Sequence, residues 1–265
     1  MNPNNNSANN SAPEILEQGD IYFFYRPKKG AEEVKGIEDV RRFFMVTAPE
    51  KSENKNQFYR LFVIGKKSLP EIRKSEARAS ERYWARVGGI FNDPNELTRD
   101  LLSDEFRKGD TARPVGEGKY VIIKYHQHAE LAYILEMPKE PGEAQRELGI
   151  QKEASYVISV INPKKPAPTA GYPSIEEQPK YSQEVLNEFS ETENFVSLAK
   201  DTKFIDYQNA QIILIGAREG RDIVKNEIGI EIAEDESHQP ADIFNKLKVR
   251  KDKVPIRPLI EGKLE

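Results

Sequence analysis

Two histidines and a glutamate form the clearest metal-ligating pattern in the chain. His126, His128 and Glu130 alternate in a short polar segment of a sequence that holds only three histidines. Alternate residues of an extended segment point to one face, and two imidazoles with a carboxylate are acceptable metal ligands. The same segment is the polar centre of a predicted hairpin, where exposed His and Glu cost nothing. An exposed turn is therefore favoured over a metal site. We expect the protein to have no cofactor.

A second set of residues combines arginine with tyrosine on the N-terminal strands. Its members are Tyr22, Tyr25, Arg26, Arg42, Tyr59 and Arg60. Arginine and aromatic side chains on a sheet face are typical of a platform for an anionic ligand or a nucleic acid. They also dominate protein–protein interfaces, and they occur on ordinary half-exposed sheets, where arginine covers apolar surface. Because acidic residues are interspersed among them, nucleic acid is disfavoured as a partner.

The sequence lacks the motifs of the easily recognised enzymes. It contains no cysteine, which excludes a disulfide framework, cysteine-ligated metal sites and a cysteine nucleophile. The P-loop, the nucleophile elbow, the dinucleotide fingerprint, the zincin helix and the EF-hand loop are also missing. Catalytic residues are therefore unknown at this stage, and we favour a protein that is not an enzyme. The charges nearly balance, with 40 Lys and Arg against 44 Asp and Glu, which argues against a protein that coats DNA or membranes.

The elements that must position these residues are mainly strands. The chain has 24 Ile and 14 Val against 15 Leu, and β-branched residues favour a pleated surface. Apolar runs predict strands at 20–26, 41–48, 57–65, 82–91, 119–125, 131–137, 154–161 and 210–217. Short helices are predicted at 94–106, 141–148, 183–189, 195–199 and 240–248, and an extended edge segment at 254–260. Because the spacings suit hairpins, the predicted fold class is α+β. It comprises a curved, mainly antiparallel β-sheet or barrel with a few short peripheral helices.

Composition divides the chain into four parts. Residues 1–18 form an Asn/Ser-rich segment predicted to be disordered, and residues 19–161 form a β-rich domain or first half. Residues 162–181 are a Pro-rich loop or linker, followed by an α/β C-terminal part, 182–265, packed on the first. Neither a signal peptide nor an apolar run of membrane-spanning length is found, so we expect a cytoplasmic protein without a membrane partner.

Four strings of residues carry a resemblance to known sequences. They are GDIYFFYRP at 19–27, LAYILEMP at 131–138, PGEAQRELGI at 141–150 and ASYVISVINP at 154–163. Together they resemble a group of bacterial conserved hypothetical proteins over residues 19–220. The resemblance implies no activity, ligand or catalytic residue.

Three functions remain open on these grounds. The first is a non-enzymatic protein-binding or accessory module that presents its aromatic and arginine-bearing sheet face to another protein. The second is a protein that binds a small anionic ligand, or an enzyme with an unrecognised site. The third is nucleic-acid binding. The arrangement of the charged and aromatic residues of 20–67 distinguishes them, because convergence in one cleft favours a small ligand and scatter favours a protein partner. Oligomeric state is left open.

Overall fold

Strands make up most of the regular structure. The computed structural model describes residues 14–31, 33–51, 57–72, 82–102, 111–125, 127–165, 177–217 and 241–265. The strands are β1 Glu14–Pro27, β2 Val40–Pro49, β3 Tyr59–Ile64, β4 Tyr83–Phe91, β5 Arg113–Tyr125, β6 His128–Met137, β7 Glu153–Ile161, β8 Phe195–Ser197 and β9 Gln211–Gly216. The helices are α1 Pro94–Leu102, α2 Glu143–Glu147, α3 Gln183–Glu188, α4 Ile243–Lys246 and α5 Arg257–Ile260.

Eight of these strands close into an antiparallel barrel. The order around the barrel is β1-β2-β3-β4-β9-β7-β6-β5, and β5 pairs again with β1. Strand β8 pairs with the end of β7. Closure removes the exposed edges that an open sheet of this size would present. The predicted α+β class with a curved antiparallel sheet or barrel and short helices is confirmed.

The barrel interior is filled by side chains. Strand β1 alternates, so that Ile21, Phe23 and Tyr25 point into the interior cluster. The ring of Phe23 lies 6.2 Å from Phe43 and 5.2 Å from Tyr133, measured between centroids. An eight-stranded barrel is just wide enough for its side chains to fill it. The interior is therefore a packed core.

A second core lies on the outside of the same strands. Tyr22 and Phe24, which alternate with the inward residues of β1, belong to this outer cluster. Helix α1 covers it with Leu97, and α4 covers it with Ile243. Burial on both faces explains why apolar residues occupy consecutive positions in the N-terminal strands.

Three details differ from the sequence predictions. Glu14 and Ile15 pair with Lys124 and Ile123 of β5, so a strand occupies the end of the segment predicted as a disordered tail. Residues 195–197, predicted within a helix, form β8 because they pair with β7, and tertiary pairing overrides local propensity. Residues 257–260, predicted to be extended, form α5, since a proline near a helix start is favourable rather than disruptive.

The C-terminal part belongs to the same barrel as the N-terminal part. Strand β9 lies between β4 and β7 and pairs with both. Because β9 follows the Pro-rich segment 162–181 in sequence, the barrel is completed by a strand that lies beyond the predicted linker. Residues 224–233, where polar and apolar residues alternate towards the end of the run, lie outside the described residues.

Candidate functional site

A row of four side chains crosses the outer face of the barrel and forms the base of a cleft. Asp20 of β1 lies opposite Lys119 of β5 on one side and Ala48 of β2 on the other. Thr47 lies opposite Arg60, which places Tyr59 of β3 beside Ala48. Because neighbouring strands are about 4.8 Å apart, Asp20 and Tyr59 are separated by about 10 Å. Small Ala48 between them leaves space and forms the floor.

Helices α1 and α4 build the walls of this cleft, which has a volume of about 720 Å³. That volume is within the usual range for small-molecule sites. The lining residues in the described part of the chain are Asp20, Tyr22, Ala48, Glu50, Lys51, Gln57, Tyr59, Asn92, Pro94, Lys119, Asn245, Lys246 and Lys248. We call this set of residues the outer cleft.

Positive charge exceeds negative charge in the outer cleft. Four lysines line it against the two carboxylates of Asp20 and Glu50. Lys119 Nζ donates to Asp20 Oδ1, and Lys246 Nζ donates to Asp20 Oδ2 at 2.8 Å. The side chains of Asp20 and Lys119 are only 14% and 10% exposed. The single carboxylate of Asp20 therefore pairs with two ammonium groups, those of Lys119 and Lys246. These three side chains carry a net positive charge that is only partly hydrated.

Two tyrosines face the same space in different ways. The hydroxyl of Tyr22 donates to the carbonyl of Ala241 at 2.7 Å. Tyr59 is 7% exposed, and none of the described residues forms a hydrogen bond with its hydroxyl. Burial, followed by the charges of Asp20 and Asp93, raises the pKa of Tyr59. Its hydroxyl therefore stays protonated and can donate a hydrogen bond to a bound molecule.

Two carboxylates of the barrel hold the segment that carries α4. Glu117 Oε2 accepts a hydrogen bond from the backbone N–H of Ile243 at 2.5 Å, and Glu136 Oε2 accepts one from Ala241 at 2.8 Å. Burial raises the pKa of Glu117 to about 7, and the neighbouring charges of Asp242, Glu136 and Asp20 act in the same direction. These contacts fix α4, and with it Lys246, at the edge of the outer cleft.

Tyr22 and Tyr59 are the two predicted ligand-binding residues that meet in the outer cleft. Tyr25 points into the barrel, where its hydroxyl donates to the carbonyl of Glu265 at 3.3 Å and accepts from the Glu265 N–H at 3.2 Å. Tyr25 thus holds Glu265 in place and does not line the outer cleft.

Two of the predicted arginines lie away from the outer cleft. Arg26 donates to the carbonyl of Leu101 in the last turn of α1 at 2.7 Å, and its guanidinium lies 5.4 Å from the ring centroid of Phe44. Arg42 is exposed on β2 and does not line the cleft.

The third arginine, Arg60, is fully buried in an ion-pair network. Its guanidinium donates two hydrogen bonds of 2.7 Å to Glu17 and one of 2.7 Å to Asp206. Tyr120 also donates to Glu17 at 2.7 Å. With its donors directed at two carboxylates, Arg60 contributes to the packing of one end of the barrel.

The predicted metal ligands are only partly described. His128 Nε2 lies 2.9 Å from Glu130 Oε1, and Ser155 Oγ donates to Glu130 Oε2 at 2.7 Å. His126 lies outside the described residues. Within the described ranges, no group of three or more His, Cys, Asp or Glu residues could hold a metal ion. The metal hypothesis stays a prediction.

No sequence pattern indicated the lysines that give the outer cleft its charge. Lys246 and Lys248 come from the C-terminal segment, and Lys119 comes from β5. The available signal was the alternation of residues 20–26, which places Asp20 and Tyr22 on one face. It indicates the face of β1 but not the elements that cover it.

Comparison of the chain with models of protein families, with curated proteins and with solved structures finds no match. In the described part of the chain, no helix has the length and apolar character needed to cross a membrane.

Proposed function

We propose that this protein binds a small anionic molecule in the outer cleft. The observation that carries the proposal is the sharing of Asp20 by Lys119 and Lys246 in a half-buried position. Lys51 and Lys248 are exposed on the same cleft and increase its positive charge.

Removing a charged group from water costs free energy. A partly buried charge is unfavourable unless an opposite charge or hydrogen bonds compensate it. Asp20 compensates one of its two lysines, and an incoming carboxylate or phosphate would compensate the other. The binding energy of such an anion is larger in a sheltered cleft than on an open surface, where solvent and salt screen it.

The small-ligand alternative is preferred to protein binding for a structural reason. A docking face needs accessible side chains, whereas only Arg42 of the six predicted residues is exposed. Four of the others are at most 7% exposed, namely Tyr22, Tyr25, Tyr59 and Arg60. Convergence of Asp20, Tyr22, Glu50, Lys51 and Tyr59 in one cleft supports a small molecule. The cytoplasmic location expected from the sequence is part of the same proposal.

Titration calorimetry with inorganic phosphate and citrate at low salt tests the proposal. We expect saturable binding of at least one of them, weakened as salt is added. The double variant Lys51→Glu/Lys248→Glu should bind about tenfold more weakly, because two exposed attractions become repulsions.

A matched control changes the same charge elsewhere. Lys28 and Lys180 are exposed and do not line the outer cleft, so Lys28→Glu/Lys180→Glu should bind within twofold of the native protein. Equal losses in the two double variants would mean that net charge alone attracts the anion. Absence of binding to the native protein would also overturn the proposal.

A further inference from the structure

The outer cleft contains hydrogen-bond acceptors next to its lysines. Gln57 uses its amide nitrogen to donate to the carbonyl of Pro49 at 2.7 Å, and Asn245 uses its amide nitrogen to donate to Asp242. Within the described residues, the side-chain amide oxygens of Gln57 and Asn245 accept no hydrogen bond, and each can act as an acceptor. Glu50 accepts from Gln18 at 2.8 Å through one carboxylate oxygen and has further acceptor capacity.

A simple anion makes little use of these acceptors. Phosphate and carboxylate ions at neutral pH are mainly acceptors themselves, so they pair with lysines and are repelled by Glu50. Hydroxyl groups both donate and accept. They are therefore the groups on a ligand that would pair with the acceptor side of the outer cleft while an anionic group pairs with the lysines.

Tyr59 provides a donor on the side opposite Asp20. It is nine-tenths buried, it lines the cleft, and its hydroxyl forms no hydrogen bond with the described residues. Ala48 carries only a methyl group between Asp20 and Tyr59, and the cleft volume of about 720 Å³ is large enough for one small ring. A ring oxygen or hydroxyl placed there can accept a hydrogen bond from the Tyr59 hydroxyl.

From these contacts, and resting on the proposed function, we infer that the ligand carries its anionic group on a polyhydroxylated skeleton. Sugar phosphates and sugar acids share this chemistry. The anionic group pairs with Lys119, Lys246 and Lys248. The hydroxylated part pairs with Tyr59 and with the acceptors Gln57, Asn245 and Glu50.

Calorimetry with pairs of probes separates the two parts of such a ligand. Glucose 6-phosphate is compared with inorganic phosphate, gluconate with acetate, and glucose serves as the uncharged probe. We expect at least one hydroxylated anion to bind about tenfold more tightly than its simple partner, a gain equivalent to one or two hydrogen bonds. Glucose alone should not bind measurably.

The variant Tyr59→Phe locates the effect, because it removes one hydroxyl and keeps the buried ring. It should lower the affinity for the preferred hydroxylated anion about fivefold, and it should lower the affinity for the simple anion by a smaller factor. A larger side chain on the floor, Ala48→Leu, should reduce both affinities.

The outcomes distinguish the two proposals. If phosphate or acetate binds but neither hydroxylated anion binds more tightly, the inference about the skeleton is wrong and anion binding stands. If Tyr59→Phe weakens simple and hydroxylated anions equally, the assigned role of Tyr59 is wrong. If none of the anions binds, both proposals fail. If glucose 6-phosphate binds more tightly than gluconate, the anionic group of the ligand is a phosphate. If gluconate binds more tightly, that group is a carboxylate.

Discussion

At the scale of single residues, Arg60 shows how a charged side chain can belong to a core. Its side chain is 0% exposed, while the side chains of Glu17 and Asp206 are 10% and 23% exposed. A guanidinium presents its donors in a rigid fork that suits two carboxylates. The desolvation cost of the arginine is thus offset by charge-assisted hydrogen bonds, and each partner depends on the others.

We expect Arg60→Met to destabilise the protein by about 3–5 kcal/mol, since it removes the buried guanidinium that Glu17 and Asp206 share. Urea unfolding followed by circular dichroism measures the loss. The triple variant Arg60→Met/Glu17→Gln/Asp206→Asn removes the stranded charges and should recover part of the stability. A loss below about 1 kcal/mol in the single variant, the value of an exposed ion pair, would contradict this account of the network.

At the scale of elements, the position of α4 depends on carboxylates at its N-terminal side. Glu117 and Glu136 accept hydrogen bonds from backbone N–H groups of the segment that leads into the helix. Asp242 caps α4 by accepting from the N–H of Asn245 at 3.1 Å. Three carboxyl groups therefore meet around one short segment, and burial raises the pKa of Glu117.

The raised pKa of Glu117 makes stability depend on pH. The ordinary value for this carboxyl is 4.5, and burial with neighbouring Asp242, Glu136 and Asp20 raises it to about 7 in the folded protein. The folded state thus holds this proton more tightly than the unfolded state. The resulting stabilisation is complete below about pH 4.5 and is lost as pH rises through about 7, by up to about 3 kcal/mol.

Glu117→Gln isolates this contribution, because the amide is neutral at every pH and its oxygen can still accept from the N–H of Ile243. Unfolding free energies of the two proteins, measured from pH 4.5 to 8, should show a smaller decline in the variant. Parallel curves over that range would contradict the assignment to Glu117.

For the whole molecule, the sequence predicts the elements better than their arrangement. Alternation in residues 20–26 and the β-branched runs are local signals, so the strands and the curved antiparallel sheet were predictable. The outer cleft was not, since Asp20 and Lys246 are 226 positions apart and meet only after α4 docks. Arg60 was predicted as a ligand-binding residue because residue type does not reveal whether burial and carboxylate partners have already occupied a side chain.

Closure of the barrel by β9 predicts that the chain unfolds as one unit. Trp84, the only tryptophan, lies on β4 opposite Ile213 of β9, so its fluorescence reports the contact between the two parts of the chain. Ile212 and Leu214 of β9 are fully buried in the interior cluster, and their loss would expose two strand edges and open the core. In urea, the tryptophan signal and far-ultraviolet circular dichroism should therefore give coincident transitions.

A fragment of residues 1–181, which ends at the predicted linker, should show red-shifted Trp84 emission and no cooperative transition. Adding residues 182–265 in trans should restore the emission of the full chain. If the fragment unfolded cooperatively with the emission of the full chain, the segment 162–181 would be a true domain boundary and the barrel would not require β9.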